Sequence, residues 1–438
     1  MPYNFGGNRI RRRRNRPRIF RFGEGGRIGG RLFPRSRFSS SWFNFNVNNP
    51  RVIEYDSSEE KEEEVESSGQ TDSVLRVSNC NYNILQNTDA HRTDEYDITE
   101  ANTGRDGPIP QLVVRRGQPF DIKLGFTRPY DRKKDDLKLV FEFGDDPSPI
   151  KGTYVDIILS DKDDPLEWGA KIKDQSGKTL TVTIMTPPTL YVGKWDFKVE
   201  VLEKSETDTC VHRYNHSQPI YILFNPWCKD DAVYMPEQNL LDEYILNQTG
   251  KIYVGNQRRL CGRRWNFGQD KNIKIQLLEE VLNKHSTVPH IKYGIKFESN
   301  ILNCALYLLG EHEDVPMKDE FRGDPVKVTR KLSALVNCQD DDGVLTGNWS
   351  GDYSGGKSPT KWTGSVAILE QFYSTKQPVC YGQCWVFSGV LTTICRTLGI
   401  PARSVTNFAS AHDTDESITI DKIYDGEGDE IDSSDSIW

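Results

Sequence analysis

The sequence predicts a multidomain α+β protein in which a β-sandwich precedes a domain of mixed helices and strands. Segments 137–143, 180–184 and 195–201 alternate apolar and polar residues, with the period of two that half-buried antiparallel strands show. After residue 224, apolar residues instead recur at spacings of three and four, which is typical of amphipathic helices. A chain of 438 residues with 36% hydrophobic content can supply each domain with a core.

The first 73 residues are predicted to be a disordered tail. Twelve arginines and one acid lie between Arg9 and Arg37, whereas Glu54 to Glu66 contains eight acids and one lysine. Such charge blocks cannot bury enough apolar area to offset the entropy of ordering. The arginine-rich block, residues 9–37, is suited to contact with nucleic acid, anionic lipid or an import receptor; the alternative is a solvated tail that folds back on its acidic block.

Residues 74–224 are predicted to form an immunoglobulin-like β-sandwich, with turn signals between its strands. Residues 225–438 are predicted to form a separate domain of catalytic type. Its helices are expected at 270–285, near 332–336 and most clearly at 385–398, where Gly399 and Pro401 supply a C-terminal stop.

The composition favours a cytosolic location. The sequence contains no run of 18 apolar residues, and its first residues lack the apolar stretch of a signal peptide. Nine cysteines at uneven spacings fit reduced thiols better than a disulfide framework.

Cys384 is the candidate nucleophile. It lies where a glycine-bearing turn meets the predicted helix at 385–398, so its sulfur is expected to lie against the unpaired N–H groups of a helix N-terminus. That field is expected to lower the pKa of the thiol. A thiol nucleophile also needs a base, usually histidine, and donors for the oxyanion that forms on its substrate.

His412 is the only histidine after Cys384, and spacing alone makes it a candidate base. The acids around it favour instead a packed or solvated histidine in a loop. Oxygen-bearing residues at alternate positions from 413 to 419, and a second oxygen-rich turn at 337–343, are typical of loops that wrap a hard cation such as calcium.

Several motifs in one order resemble the animal calcium-dependent transglutaminase family across residues 75–438. They are Asn-Pro-Trp-Cys-Lys-Asp-Asp-Ala-Val-Tyr at 225–234, Trp-Asn-Phe-Gly-Gln at 265–269, Tyr-Gly-Gln-Cys-Trp-Val-Phe at 381–387, Leu-Gly-Ile-Pro-Ala-Arg at 398–403, Val-Thr-Asn-Phe at 405–408, Ser-Ala-His-Asp at 410–413 and Asp-Ser-Ile-Trp at 435–438. The resemblance implies a papain-like core in residues 225–438. It also leaves extracellular action open, because family members can leave cells without a signal peptide.

The resemblance implies a role for each matching residue. Cys384 would attack a glutamine γ-carboxamide, release ammonia and form a thioester, which a lysine or another primary amine would convert to an isopeptide bond. Trp349 would donate its indole N–H to the oxyanion together with the backbone N–H of Cys384. Trp438 would wall the tunnel that admits the amine. The implied partners are therefore glutamine- and lysine-bearing proteins and primary amines.

The resemblance also implies Ca²⁺ as a cofactor, held at two sites. The first site would use Asn337, Gln339 and Asp341, with Gln339 where an asparagine is common. The ligands of the second site would be Asp413, Asp415, Ser417, Thr419 and Asp435.

The resemblance places the family's catalytic histidine and its orienting aspartate beyond Trp438. Residues 1–438 are therefore expected to be inactive by themselves, as a transglutaminase core truncated before its base and without the C-terminal β-barrels. Two other interpretations stay open. One is a non-catalytic scaffold of the same family, and the other is a cysteine protease that uses His412.

Overall fold

The computed structural model describes residues 51–56, 74–94, 96–97, 99–100, 109–161, 164–204, 209–256, 259–268, 297–312, 317–408, 410–412, 418–431 and 436–437. These residues belong to one compact unit, residues 49–438. The helix predicted at 270–285 and all of the predicted tail except residues 51–56 lie outside the described residues. In the part that is described, no helix combines the length and the apolar character needed to cross a bilayer.

Strands dominate the N-terminal half of the compact unit. They are β1 Arg51–Asp56, β2 Val77–Asn81, β3 Tyr96–Asp97, β4 Thr99–Glu100, β5 Ile109–Pro110, β6 Leu112–Arg115, β7 Phe120–Phe126, β8 Asp136–Phe143, β9 Tyr154–Ile158, β10 Gly169–Ser176, β11 Thr179–Met185, β12 Gly193–Lys204, β13 Thr209–Asn215 and β14 Ile220–Leu223, together with helix α1 Ile84–His91.

Two sheets make the predicted β-sandwich. The larger has the order β1-β13-β12-β14-β6, with β8 paired to β12 and β9 paired to β8, and the smaller has the order β10-β11-β7-β2. Phe141 lies opposite Phe197 across β8 and β12, and their ring centroids are 5.1 Å apart. These rings share one buried cluster with Leu124 and Val182 of the smaller sheet. The apolar residues of the period-two pattern therefore lie between the two sheets. The prediction of a β-sandwich is confirmed.

Residues 51–56 differ from the expectation of a disordered tail. They form β1, which pairs in parallel with β13 at the edge of the larger sheet. Glu54 accepts a hydrogen bond from Arg213 at 2.7 Å, and the ring of Tyr55 meets that of Tyr214 edge-on. An open sheet edge supplies backbone partners to any extended segment, so the charge composition of this segment did not reveal the strand.

Helices and short strands make up the C-terminal half. The helices are α2 Gln238–Leu241, α3 Ser299–Gly310, α4 Pro325–Leu335, α5 Cys338–Asp341, α6 Val366–Thr375 and α7 Cys384–Thr397, with a π-helical turn at Asp242–Leu246 and 3₁₀ turns at Asp319–Phe321 and Pro359–Lys361. The strands are β15 Thr249–Asn256, β16 Arg259–Asn266, β17 Phe297–Glu298, β18 Leu345–Gly347, β19 Val379–Gly382, β20 Ala411–His412, β21 Ile423–Tyr424, β22 Glu430–Ile431 and β23 Ser436–Ile437.

Helix α7 lies at the centre of this second half. Its buried face joins α3, α4 and α6 in an apolar cluster that includes Val390. Gly389 lets the helix approach strand β16, because a Cβ there would lie 2.6 Å from the ring of Trp265. The indole of Trp265 in turn donates to Ser365 Oγ at 2.9 Å. The helix is followed by Gly399 at φ +88°, the stop that the sequence predicted.

A buried ion pair joins the sandwich to the second half. Arg116, which follows β6, donates from Nε and from Nη2 to the carboxylate of Asp231, each at 2.7 Å, and both side chains are inaccessible to water. Arg116 Nη1 also donates to the carbonyls of Leu190 and Gly323. Asn225 bridges the two residues of the ion pair. Its backbone N–H donates to the Asp231 carboxylate, and its side-chain amide donates to the backbone carbonyl of Arg116.

Replacing Asp231 with alanine should therefore destabilise the fold strongly. The change leaves the Arg116 guanidinium buried without its counter-charge, which costs about 3–5 kcal/mol. Urea unfolding followed by tryptophan fluorescence measures the loss.

Asp161→Ala is the matched control, because Asp161 pairs with Arg132 at 2.9 Å at the protein surface. An exposed pair contributes about 0–1 kcal/mol, so this variant should unfold almost like the parent. Equal losses in the two variants would show that the Arg116–Asp231 pair has no special role.

Candidate active site

A strand-to-helix junction positions Cys384. Strands β18 and β19 run parallel, with Gly347 opposite Gly382. Gln383 is extended, at φ −134° and ψ 178°, and α7 begins at the next residue. Cys384 thus occupies the first helical position, one residue before the predicted start of the helix, with its side chain exposed to solvent.

The side chain of Gln383 fixes the loop that follows β18. Its Nε2 donates to the carbonyl of Asn348 at 2.9 Å and contacts the hydroxyl of Tyr353 at 3.1 Å. The backbone N–H of Asn348 donates to the carbonyl of Gly382 at 3.1 Å. The sequence did not single out Gln383 or Tyr353 for this role, because their contacts join segments about 30 residues apart and leave no periodic signal.

Trp349 lies beside the same helix. Its ring stacks on Phe387, with centroids 6.5 Å apart and planes within 2° of parallel. Phe387 follows Cys384 by three positions, so the two side chains share one face of α7. Trp349 is nevertheless 54% exposed, which leaves much of the indole open to a ligand. The structure therefore brings Trp349 to the helical face that carries the thiol.

The predicted direction of the Cys384 pKa shift is wrong. Burial of the sulfur by surrounding protein raises the pKa of the thiol, although the side chain still reaches solvent. The backbone N–H groups of Trp385 and of Cys384 itself lower the pKa, but by less than burial raises it. The field of the helix N-terminus is thus present but smaller than the loss of hydration. In the described part of the chain, these two N–H groups are the ones that favour the thiolate.

Two other tryptophans near the junction differ in how their N–H groups are bound. Trp362 is buried and donates to the carbonyl of Tyr381 at 2.9 Å, while the ammonium of Lys357 lies 4.0 Å from the centre of its ring. These contacts make Trp362 a packing residue of the β19 loop. The indole N–H of Trp385 is buried and has no hydrogen-bond partner among the described residues.

The predicted calcium ligands are described only in part. The Asn337 amide oxygen accepts the N–H of Gln339 at 3.3 Å and so caps helix α5, while Gln339 itself is exposed. Thr419 donates to Asp421 at 3.1 Å. These are hard oxygen donors of the kind that suits Ca²⁺. The side chains of Asp341, Asp413, Asp415, Ser417 and Asp435 lie outside the described residues.

Two clusters of potential metal ligands occur elsewhere in the described residues, and the predicted ligand sets contain none of their members. Asp425, Glu427 and Asp429 lie within 4.8 Å of one another in the exposed turn between β21 and β22. Asp425 accepts N–H groups of that same turn, which explains its position without an ion. The second cluster contains Glu203, Cys210 and His212 of the β12–β13 pair.

Trp438 and the side chain of His412 also lie outside the described residues. The backbone of His412 belongs to β20, where it lies opposite Ser436 of β23. Both the amine-tunnel role of Trp438 and the use of His412 as a base therefore stay predictions.

Fold and site together define a multidomain α+β protein with an exposed cysteine at the start of a central helix. Two sequence-family models match the chain: the one described as Transglutaminase family covers residues 78–202, and the one described as Transglutaminase-like superfamily covers residues 348–436. The chain belongs to the transglutaminase family.

Individual relatives agree with this assignment. Annulin of Schistocerca americana is 40% identical over 381 residues, which are 86% of this chain and 45% of annulin. Human protein-glutamine gamma-glutamyltransferase 4 is 39% identical over 369 residues, which are 83% of this chain and 46% of the relative. The crystal structure of red sea bream transglutaminase matches with a TM-score of 0.62 at 32% identity, covering 83% of this chain and 48% of that one. The chain spans less than half of the length of these relatives.

The raised pKa of Cys384 predicts slow thiol chemistry at neutral pH in a polypeptide of residues 1–438. A raised pKa means that less thiolate is present below it, and unfolding removes the burial that raises it. Alkylation of Cys384 by iodoacetamide, followed by peptide mass spectrometry across pH, should therefore have its midpoint at higher pH in the folded polypeptide than in urea. A folded midpoint at or below the urea midpoint would mean that the helix field outweighs burial.

Proposed function

We propose that the protein containing this chain transfers the acyl group of protein glutamine side chains to amines, with Cys384 as the nucleophile. The observation that carries the proposal is the placement of an exposed cysteine at the first residue of α7, with Trp349 stacked on Phe387 of the same helical face. Family membership supports this reaction, because relatives of the chain are named protein-glutamine gamma-glutamyltransferases.

The reaction would proceed in two acyl-transfer steps. The Cys384 thiolate attacks the carbonyl carbon of a glutamine γ-carboxamide, the tetrahedral oxyanion collapses, and the protonated amide nitrogen leaves as ammonia. A lysine amine then attacks the thioester, loses a proton and expels the thiolate, which yields an isopeptide bond. Water in place of the amine yields glutamate.

Two N–H groups would stabilise the oxyanion of each step. The backbone N–H of Cys384 lies at the first turn of α7, where no helical carbonyl accepts it. The indole N–H of Trp349 would be the second donor, since stacking on Phe387 and the short β18–β19 pairing restrain its loop. Donors fixed in advance stabilise developing charge without reorganisation, which is why such pairs account for much of an acyl transferase's rate.

A base must remove the thiol proton before attack. In the described residues, backbone N–H groups alone favour the thiolate of Cys384, and burial opposes them. We therefore propose that a base outside the described residues, usually an imidazole in thiol enzymes, removes this proton. The raised pKa would keep the thiol protonated until that base is in place.

Calcium is proposed as the cofactor. Asn337, Gln339 and Asp341 would hold one ion, and the carboxylates and hydroxyls at 413–419 with Asp435 would hold another. Amide and hydroxyl oxygens such as those of Asn337 and Thr419 are ligands that Ca²⁺ accepts. A bound ion would supply positive charge that draws these acidic loops together.

Calcium-dependent incorporation of a labelled primary amine into a glutamine-rich protein tests the function. The complete protein should incorporate the amine with Ca²⁺ and stop with chelator, and Cys384→Ala should abolish incorporation because no thioester can form. Cys261→Ala is the control: Cys261 is likewise an exposed thiol, on β16 away from the junction, so its loss should leave the rate unchanged. Incorporation that survives in Cys384→Ala, or an intact protein that incorporates no amine, would reject the proposed reaction and favour a scaffold role.

Trp349→Phe isolates the oxyanion role of the indole. Phenylalanine keeps the stack on Phe387 but lacks the N–H, so kcat should fall about 10²–10³-fold with little change in KM. Trp349→Tyr offers an O–H donor in nearly the same place and should recover part of the rate. If Trp349→Phe keeps the wild-type kcat, the indole N–H has no role in the reaction and Trp349 only packs on Phe387.

A further inference from the structure

The β12–β13 pair of the sandwich brings together a carboxylate, a thiol and an imidazole. Glu203 lies opposite Cys210 in the antiparallel register, and His212 lies two residues further along β13. One donor atom from each side chain lies within 4.8 Å of the other two. The proposed acyl transfer and the proposed calcium sites use none of these three residues.

The strand register puts the three donors on one face of the larger sheet. Residues two apart in a strand point to the same face, and so do residues directly opposite each other in neighbouring strands. His212 lies opposite Val201, whose side chain belongs to the buried core between the two sheets. On its other side His212 lies opposite Ile53 of β1. The donors are therefore held at the end of the sandwich core, between apolar neighbours.

His212 is buried and yet close to a group that solvent can reach. Its side chain is 3% exposed, and its Nε2 lies 2.9 Å from a carboxylate oxygen of Glu203, which is itself 37% exposed. An ion could therefore enter along the Glu203 side chain. The imidazole Nε2 would bind such an ion when the ring carries its proton on Nδ1.

The spacing of the donors is close to what Zn²⁺ requires. Bond lengths of about 2.0–2.3 Å in a tetrahedral site hold neighbouring donors about 3.3–3.6 Å apart. The Glu203–His212 distance of 2.9 Å is slightly shorter than this, and the longest separation in the cluster is at most 4.8 Å. Small side-chain rotations on the existing backbone would therefore bring all three donors to one ion.

The kinds of donor select Zn²⁺ over the hard cations. Thiolate and imidazole are preferred ligands of Zn²⁺, whereas Ca²⁺ and Mg²⁺ prefer oxygen. One thiolate and one carboxylate also balance the two charges of the ion, so the complex is neutral and compatible with a half-buried position. Arg51 lies opposite Cys210 on β1, where its charge favours the thiolate and disfavours the free cation.

We propose that Glu203, Cys210 and His212 bind one Zn²⁺ ion. Among the described residues the cluster has these three members, so water completes the tetrahedron. Binding releases one proton, because the Cys210 thiol must ionise before its sulfur can bind the metal. The ion joins β12 to β13, the strand that also carries β1, and so stabilises this edge of the sandwich.

Titration of the complete protein with Co²⁺, after treatment with chelator and under reducing conditions, tests the site. Co²⁺ occupies zinc sites and absorbs in the near ultraviolet when a thiolate is bound to it. The parent should show this absorption, and equimolar Zn²⁺ but not excess Ca²⁺ should abolish it. Cys210→Ser should lose the absorption and should bind Zn²⁺ at least about tenfold more weakly in competition with a chromophoric chelator.

Cys261→Ala is the matched control. Cys261 is an exposed thiol on β16 outside the cluster, so its replacement should leave the absorption and the Zn²⁺ affinity unchanged. Zn²⁺ should also raise the melting temperature of the parent and of Cys261→Ala, but not that of Cys210→Ser, because an ion that binds only the folded state stabilises it.

Glu203→Gln gives a second variant that does not depend on how well Cys210→Ser folds. Glutamine keeps the shape of the side chain at a partly exposed position but removes its charge. This variant should bind Zn²⁺ at least about tenfold more weakly, while saturating Co²⁺ should still produce the thiolate absorption. The proposal fails if the parent binds no Zn²⁺, if excess Ca²⁺ displaces the ion, or if either variant binds Zn²⁺ as tightly as the parent.

Discussion

The buried pair of Arg116 and Asp231 is the constraint on which the rest of the molecule depends. Arg116 directly follows the last residue of β6 in the sandwich, and Asp231 lies in the segment that leads into the helical half, so the ion pair links the two halves. Asn225 donates its backbone N–H to Asp231, and the carbonyls of Leu190 and Gly323 accept hydrogen bonds from Arg116. A charge buried this completely must be matched by fixed partners, because any displacement would leave it unpaired.

The candidate active site depends on a second, smaller constraint, which is the register of β18 and β19. Setting Gly347 opposite Gly382 brings the following residues, Asn348 and Trp349, beside the start of α7. A Cβ at position 347 would lie 2.5 Å from the Trp349 ring, so any larger residue there would displace that ring. At the start of that helix, burial of the Cys384 sulfur outweighs the helix field in setting the pKa of the thiol.

Local patterns were enough to predict much of this organisation. Alternation at 137–143 and 195–201 predicted β8 and β12, and spacings of three and four after Cys384 predicted α7 with its stop at Gly399, because burial on one face leaves a period in the sequence. The motif around Cys384 likewise identified the family, which the comparisons then showed. Strand β1 was missed because an edge strand is held by backbone bonds, which leave little trace in composition.

The sequence by itself therefore determined the sandwich, the central helix and the cysteine at its start, since each follows from residues adjacent in the chain. Only the tertiary structure shows which distant residues meet. In it Gln383 donates a hydrogen bond to Tyr353, and the ring of Trp349 stacks on Phe387. Arg396 lines the same cavity as the cationic side chains of the β15–β16 hairpin. The tertiary structure also decided the direction of the Cys384 pKa shift, because hydration of a sulfur depends on every segment packed around it and not on the helix to which it belongs.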